Sequence, residues 1–170
     1  GRADAYAASL ALRAALLAHG IDESGCSYEI AEGGKPHLLR SPFHFCLSHT
    51  EGGALCALFD APIGADAEAF PPRRERDWAA LVQRFFTPRE QAYFHSRGEN
   101  AQDFFMLWTR KESYLKYSGH GITVPLSSFC VLGGADGTKP SPCYQTLFEK
   151  GFVISLCTAK AEKHPKIVWI

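Results

Sequence analysis

The chain has 170 residues, 18 basic and 18 acidic side chains, and 46% hydrophobic residues. That length suits one domain, or two small lobes sharing a core. The balanced charge excludes the broad basic surface of a nucleic-acid or anionic-membrane binder, but not a local basic pocket for a small polyanion.

The first apolar run, "AYAASLALRAALLAHG", predicts an amphipathic helix over 3–18, with Leu10, Leu12, Leu16 and Leu17 apolar and Gly20 just past its end. Arg13 interrupts it, so it is neither a signal peptide nor a span of about 20 apolar residues. "CSYEIA" predicts a strand, and "EGGKPHLLRSP" a loop. Residues 43–48 and 54–59 form an expected hairpin around "HTEGG", followed by the extended stretch "PIGADAEAF". "FPPRRERD" reads as a connector before a helix at 77–86. In "TPREQAYF", Thr87 is an N-cap, Pro88 is N1 and Glu90 is N3 of the next helix. A long helix spans about 101–117 and stops at Gly119. Strands are expected at 128–132, 142–149, 152–158 and 166–170, with "EKG" turning between the middle pair. The order lacks a βαβ rhythm, so the predicted class is α+β.

Six cysteines are present and none form a C-x-x-C pair, which leaves a zinc site little support. They read as buried, reduced thiols of a cytoplasmic protein.

Asp66 and Glu68 lie two apart in "IGADAEAF". On a strand they share one face, roughly 7 Å apart, and repel unless a cation sits between them. Mg²⁺ suits oxygen ligands of this kind, and Gly64 with the flanking alanines leaves room for a ligand. A lone D-x-E is more often a solvated strand face. Trp108, Glu112 and Lys116 recur at i, i+4 on one helix face, with Lys111 beside it. This stripe suits a site for metal and phosphate, or equally a Glu–Lys pair facing water. Ser48 and His49 offer donors to a phosphate. As neighbours on a strand they point oppositely, so His49 is poorly placed to deprotonate Ser48. Lys35 stands on the glycine-led "GGKP", which is too short for a P-loop.

The four pieces G-K-P, F-x-L-S-H, P-I-G-x-D-x-E and L-W-T-x-K-E-S-x-x-K-x-x-G-x-G occur in this order over residues 33–121. In that order they resemble the 4′-phosphopantetheinyl transferase superfamily, in its larger, surfactin-synthetase-activating branch. The resemblance implies an α+β fold of two similar lobes about a pseudo-twofold axis, with coenzyme A in the cleft between them. The expected division gives a first lobe over 1–60, shortened at its start, and a second over 61–170 carrying the metal site. The implied activity is Mg²⁺- or Mn²⁺-dependent transfer of 4′-phosphopantetheine from coenzyme A to a serine of an apo acyl or peptidyl carrier protein. Adenosine 3′,5′-bisphosphate is the other product. By motif match Asp66, Glu68 and Glu112 hold the metal. Glu112 is also the position to consider for the base, and Lys116 contacts and stabilises the departing phosphate. Ser48 and His49 hold the nucleotide's phosphate end, Lys35 lies near the 3′-phosphate, and Lys111 is a further phosphate contact. Phe85, Phe86 and "RRER" are candidates for carrier docking. Neither nucleic acid nor membrane is an expected partner, and two internal lobes imply a monomer. The competing reading is a non-catalytic coenzyme A or carrier-binding module with a degraded first lobe.

Overall fold

The computed structural model describes residues 2–31, 33–74, 76–132 and 142–160. The first half carries α1 (Arg2–Ala18), β1 (Tyr28–Ile30), β2 (Pro36–Leu38), β3 (His44–Thr50) and β4 (Gly53–Phe59). The second carries β5 (Ile63–Ala69), α2 (Trp78–Phe85), α3 (Pro88–Ser96), α4 (Ala101–Ser118), β6 (Cys143–Glu149) and β7 (Phe152–Thr158). The strands pair antiparallel as β1–β2, β3–β4 and β5–β7–β6. The class is α+β. The division expected near residue 61 falls in the short connection between β4 and β5.

Local chemistry sets the helix ends. Asp77 caps α2 by accepting from the Ala80 amide, 2.9 Å away. Thr87 and Glu90 form a complete capping box on α3 with Pro88 in its first turn. Asn100 caps α4, and Gly119 ends it in the left-handed region at φ 73°. Helix α1 buries Leu12 and Leu16 against Leu38 and Phe45. Val82, Phe86, Phe94, Phe104, Leu107 and Val131 form the second core. There Phe104 stacks between Phe86 and Trp108, with centroids 5.5 and 5.9 Å away. Phe86 is therefore a core residue rather than a docking residue.

β3 runs beside β5 without backbone pairing. Instead, side chains of β3 take up amides along the open edge of β5. Ala65 N–H donates to Cys46 Sγ (3.2 Å), Ala67 N–H to Ser48 Oγ (3.3 Å) and Ala69 N–H to Thr50 Oγ1 (3.1 Å). Period-two alternation brings residues 46, 48 and 50 to the same edge.

Three expectations need correction. The segment 32–42 is not all loop, because Pro36–Leu38 pairs with Tyr28–Ile30. Residues 128–132 are not a strand. A 3₁₀ turn covers Leu126–Ser128, and the following main chain serves a buried ion pair. Lys111 Nζ donates to Leu126 O and Phe129 O at 2.7 and 2.6 Å, and Val131 N–H donates to Glu90 Oε1 at 2.8 Å. Finally, the six cysteines are free thiols, but only Cys46 and Cys157 are buried. The expected strand at 166–170 lies outside the described residues.

The pair at the centre of this network is Lys111–Glu90, at 2.8 Å with both side chains wholly buried. Glu90 Oε2 also accepts from Thr87 N–H at 2.8 Å and Thr87 Oγ1 at 2.9 Å. The Lys111 ammonium lies over the Phe129 ring, 4.6 Å from its centroid. Removing one member strands the other in an apolar interior. Lys111→Met is expected to lower unfolding free energy by about 3–5 kcal/mol, read from urea denaturation. A loss below about 1 kcal/mol would show that the pair does not organise this core.

Candidate functional site

Helix α4 lies across β5 and β7. A Cβ at Gly64 would overlap the Ser113 carbonyl oxygen and crowd Tyr117 N. The space at Gly64 is thus taken by the helix backbone and not by a ligand, a correction to the sequence reading. The close approach brings the Trp108–Glu112–Lys116 stripe of α4 over the carboxylates of β5.

Asp66 is nearly buried. Its Oδ1 accepts from Lys116 Nζ at 2.7 Å and from Ser48 Oγ at 2.8 Å. Lys116 Nζ also donates to Ser48 Oγ at 2.8 Å. Among the described residues, nothing hydrogen-bonds to the buried Asp66 Oδ2. An orphaned carboxylate oxygen is costly to bury. Glu68 Oε2 accepts from Thr50 Oγ1 at 3.0 Å.

The three acids feel one another. Burial pushes Asp66 above the ordinary carboxylate range, while Lys116 and the hydrogen bonds to Lys116, Ser48 and Ala67 N–H pull it back. Burial raises Glu68, the charge of Asp66 raises it further, and Thr50, Trp108 and Lys116 oppose. Glu112 is raised by burial first, then by Asp66 and Glu68, with Lys116 opposing. Lys116 thus counters all three.

A cavity of ≈260 Å³ opens beside this group. Gly33, Lys35, Cys46, Glu112, Lys116 and Gly119 are in its wall. A Cβ at Gly33 would overlap the Gly119 carbonyl oxygen, so the "GGKP" loop seats directly on the end of α4. Lys35 Nζ donates to Ile63 O at 2.7 Å, and burial lowers its pKa.

Asp66, Glu68, Glu112, Lys116 and Ser48 form one interacting group, and Lys35 shares the cavity wall with Glu112 and Lys116. His49 does not join Ser48. It is exposed, on the opposite face of β3, and is not among the residues lining the cavity. Lys111 is also removed from the phosphate-binding set. Its ammonium is wholly buried on Glu90, because adjacent helix residues point about 100° apart. Sequence reading missed Thr50, which orients Glu68. Its signal was present, since Thr50 follows Ser48 at strand period and Glu68 follows Asp66 likewise.

Among the described residues, no three His, Cys, Asp or Glu side chains form a ready-made metal cage. The oxygen chemistry of Asp66, Glu68 and Glu112 fits a hard divalent cation, and the buried, unpartnered Asp66 Oδ2 fits a ligand atom for one. No helix of the described residues is long and apolar enough to cross a membrane.

The sequence pattern of the 4′-phosphopantetheinyl transferase superfamily matches residues 62–159. A 4′-phosphopantetheinyl transferase of Bacillus subtilis is 36% identical over 158 residues, covering 86% of this chain and 69% of its own. The transferase Sfp of Bacillus subtilis strain 168 is 32% identical over 151 residues, covering 82% and 66%. HetI of Nostoc sp. PCC 7120 is 36% identical over 110 residues, covering 61% and 46%. The chain thus spans about two thirds of the two Bacillus proteins and less of the third.

The raised carboxylates set the pH dependence of the metal-free protein. An acid with a higher pKa folded than unfolded binds more protons when folded, so stability falls as pH rises through that interval. The metal-free chain is expected to lose thermal stability from the ordinary carboxylate range up to the raised values. Glu112→Gln removes one mutually repelling charge and is expected to raise the metal-free midpoint at pH 8. A lower midpoint in that variant would mean the acids do not repel.

Proposed function

The chain belongs to the 4′-phosphopantetheinyl transferase superfamily, and from that membership we propose that it transfers 4′-phosphopantetheine from coenzyme A to a serine of an apo acyl or peptidyl carrier protein. One observation carries the reading: a lysine and three interacting carboxylates, one with an unpartnered buried oxygen, gathered beside an interlobe cavity. The two lobes are α1 on β3–β4 and α4 on β5–β7–β6. We read them as the pseudo-twofold halves of the cleft.

The reaction is a phosphoryl transfer. The carrier's serine oxygen forms a bond to the phosphorus bearing the pantetheine arm. The bond from that phosphorus to the bridging oxygen breaks, and the departing phosphate leaves as part of adenosine 3′,5′-bisphosphate. Such chemistry asks mainly for positioning and charge neutralisation. Asp66, Glu68 and Glu112 would hold Mg²⁺ or Mn²⁺, which when bound neutralises pyrophosphate oxygens. Glu112 lines the cavity and is the carboxylate we assign to receive the serine proton. Lys116, also in the wall, stabilises the charge building on the departing phosphate. Lys35 is the wall's second lysine and suits the 3′-phosphate end. Six free thiols favour a reducing, cytoplasmic setting.

The test is conversion of an apo carrier to the holo form, read by mass as a gain of one phosphopantetheine. Activity is expected with Mg²⁺ and none with chelator. Glu112→Gln should lower kcat/KM by about 10²-fold or more, and Lys116→Ala by about 10²–10³-fold, both folded by circular dichroism. No modification across acyl, peptidyl and related carriers would overturn the reading.

A further inference from the structure

The place of Lys116 is unusual for a residue read as a phosphate ligand. Its ammonium is already committed, to Asp66 Oδ1 at 2.7 Å and Ser48 Oγ at 2.8 Å. It lines the cavity together with Glu112, whereas Asp66, Glu68 and Ser48 do not. The Lys116 side chain is 30% exposed, the Asp66 side chain 7%. Lys116 therefore lies between the cavity and the buried acid.

We propose that Lys116 is an internal counter-ion that competes with a divalent cation for Asp66, and that the substrate's pyrophosphate relieves the competition by giving the ammonium another anion. This rests on the reading that the three acids take a metal and the cavity takes a pyrophosphate. An ammonium and a divalent cation repel when they share one buried carboxylate. Lysine's flexible four-carbon stem permits transfer of the charge from Asp66 toward the cavity. Metal and pyrophosphate then bind cooperatively, each raising the affinity for the other by the same factor. The metal enters with the substrate rather than ahead of it.

The experiment measures Mn²⁺ binding by electron paramagnetic resonance, without coenzyme A, for wild type, Lys116→Met and Lys116→Gln. Both variants are checked for native circular dichroism. Each is expected to bind Mn²⁺ at least tenfold more tightly than wild type, about 1.4 kcal/mol. A second readout uses the unaltered chain. Acetylation of Lys116 by acetic anhydride, followed by peptide mass spectrometry, is expected to accelerate when Mn²⁺ is saturating. Equal or weaker binding by the variants, or an unchanged acetylation rate at saturation, overturns the competition while leaving the metal site standing. Absence of Mn²⁺ binding in all three proteins overturns the metal site itself, and the competition with it.

Discussion

Two neighbouring residues of α4 are held in opposite surroundings, and the site depends on that division. Lys111 is fixed on Glu90 inside the aromatic core, 2.8 Å away. Its ammonium also satisfies the Leu126 and Phe129 carbonyls, so the ion pair is hydrogen-bonded well enough to tolerate burial. A helix held at one residue cannot turn about its axis without breaking that pair. Glu112, one residue on, is thereby kept toward β5, and Lys116 follows it one turn later.

The second constraint is the seam between β3 and β5. Ser48 and Thr50 each do two things there. Their oxygens accept from the Ala67 and Ala69 amides, and their hydroxyls donate to Asp66 and Glu68. The groups that close the edge of one strand also orient the acids of that strand. Bringing the two halves together and aiming the carboxylates are therefore one event, which two hydroxyl side chains at strand period accomplish.

Much of this was legible because it is local. Thr87-Pro88-x-Glu90, Asn100 and Gly119 announce helix ends through hydrogen bonds within a few residues. D-x-E and the i, i+4 stripe fix faces by periodicity alone. What could not be read was which distant group each face would meet. Glu90 was visible as a cap but not as the partner of Lys111, 21 positions later. The run "SFCVL" has strand composition, yet its main chain answers to that ion pair. Gly64 signals a close approach, and only the fold says that helix α4 makes it. His49 was included with Ser48 through the family motif, although alternation along a strand already argued against a shared face.

The charge count around Asp66 ties these constraints to chemistry. With all three acids ionised, Lys116 offsets one charge and leaves about two negative charges beside a half-enclosed cavity. Burial makes that residue of charge expensive, as the upward shifts of Asp66, Glu68 and Glu112 show. Protons can relieve it, and so can one divalent cation. A hydroxyl cannot, since Thr50 already serves Glu68 and brings no charge. A fold stabilised only for its own sake would gain by replacing one acid with an amide. Keeping three suits the proposed site, whose counter-charge arrives from outside, and the unpartnered Asp66 Oδ2 would be one of the oxygens that receive it.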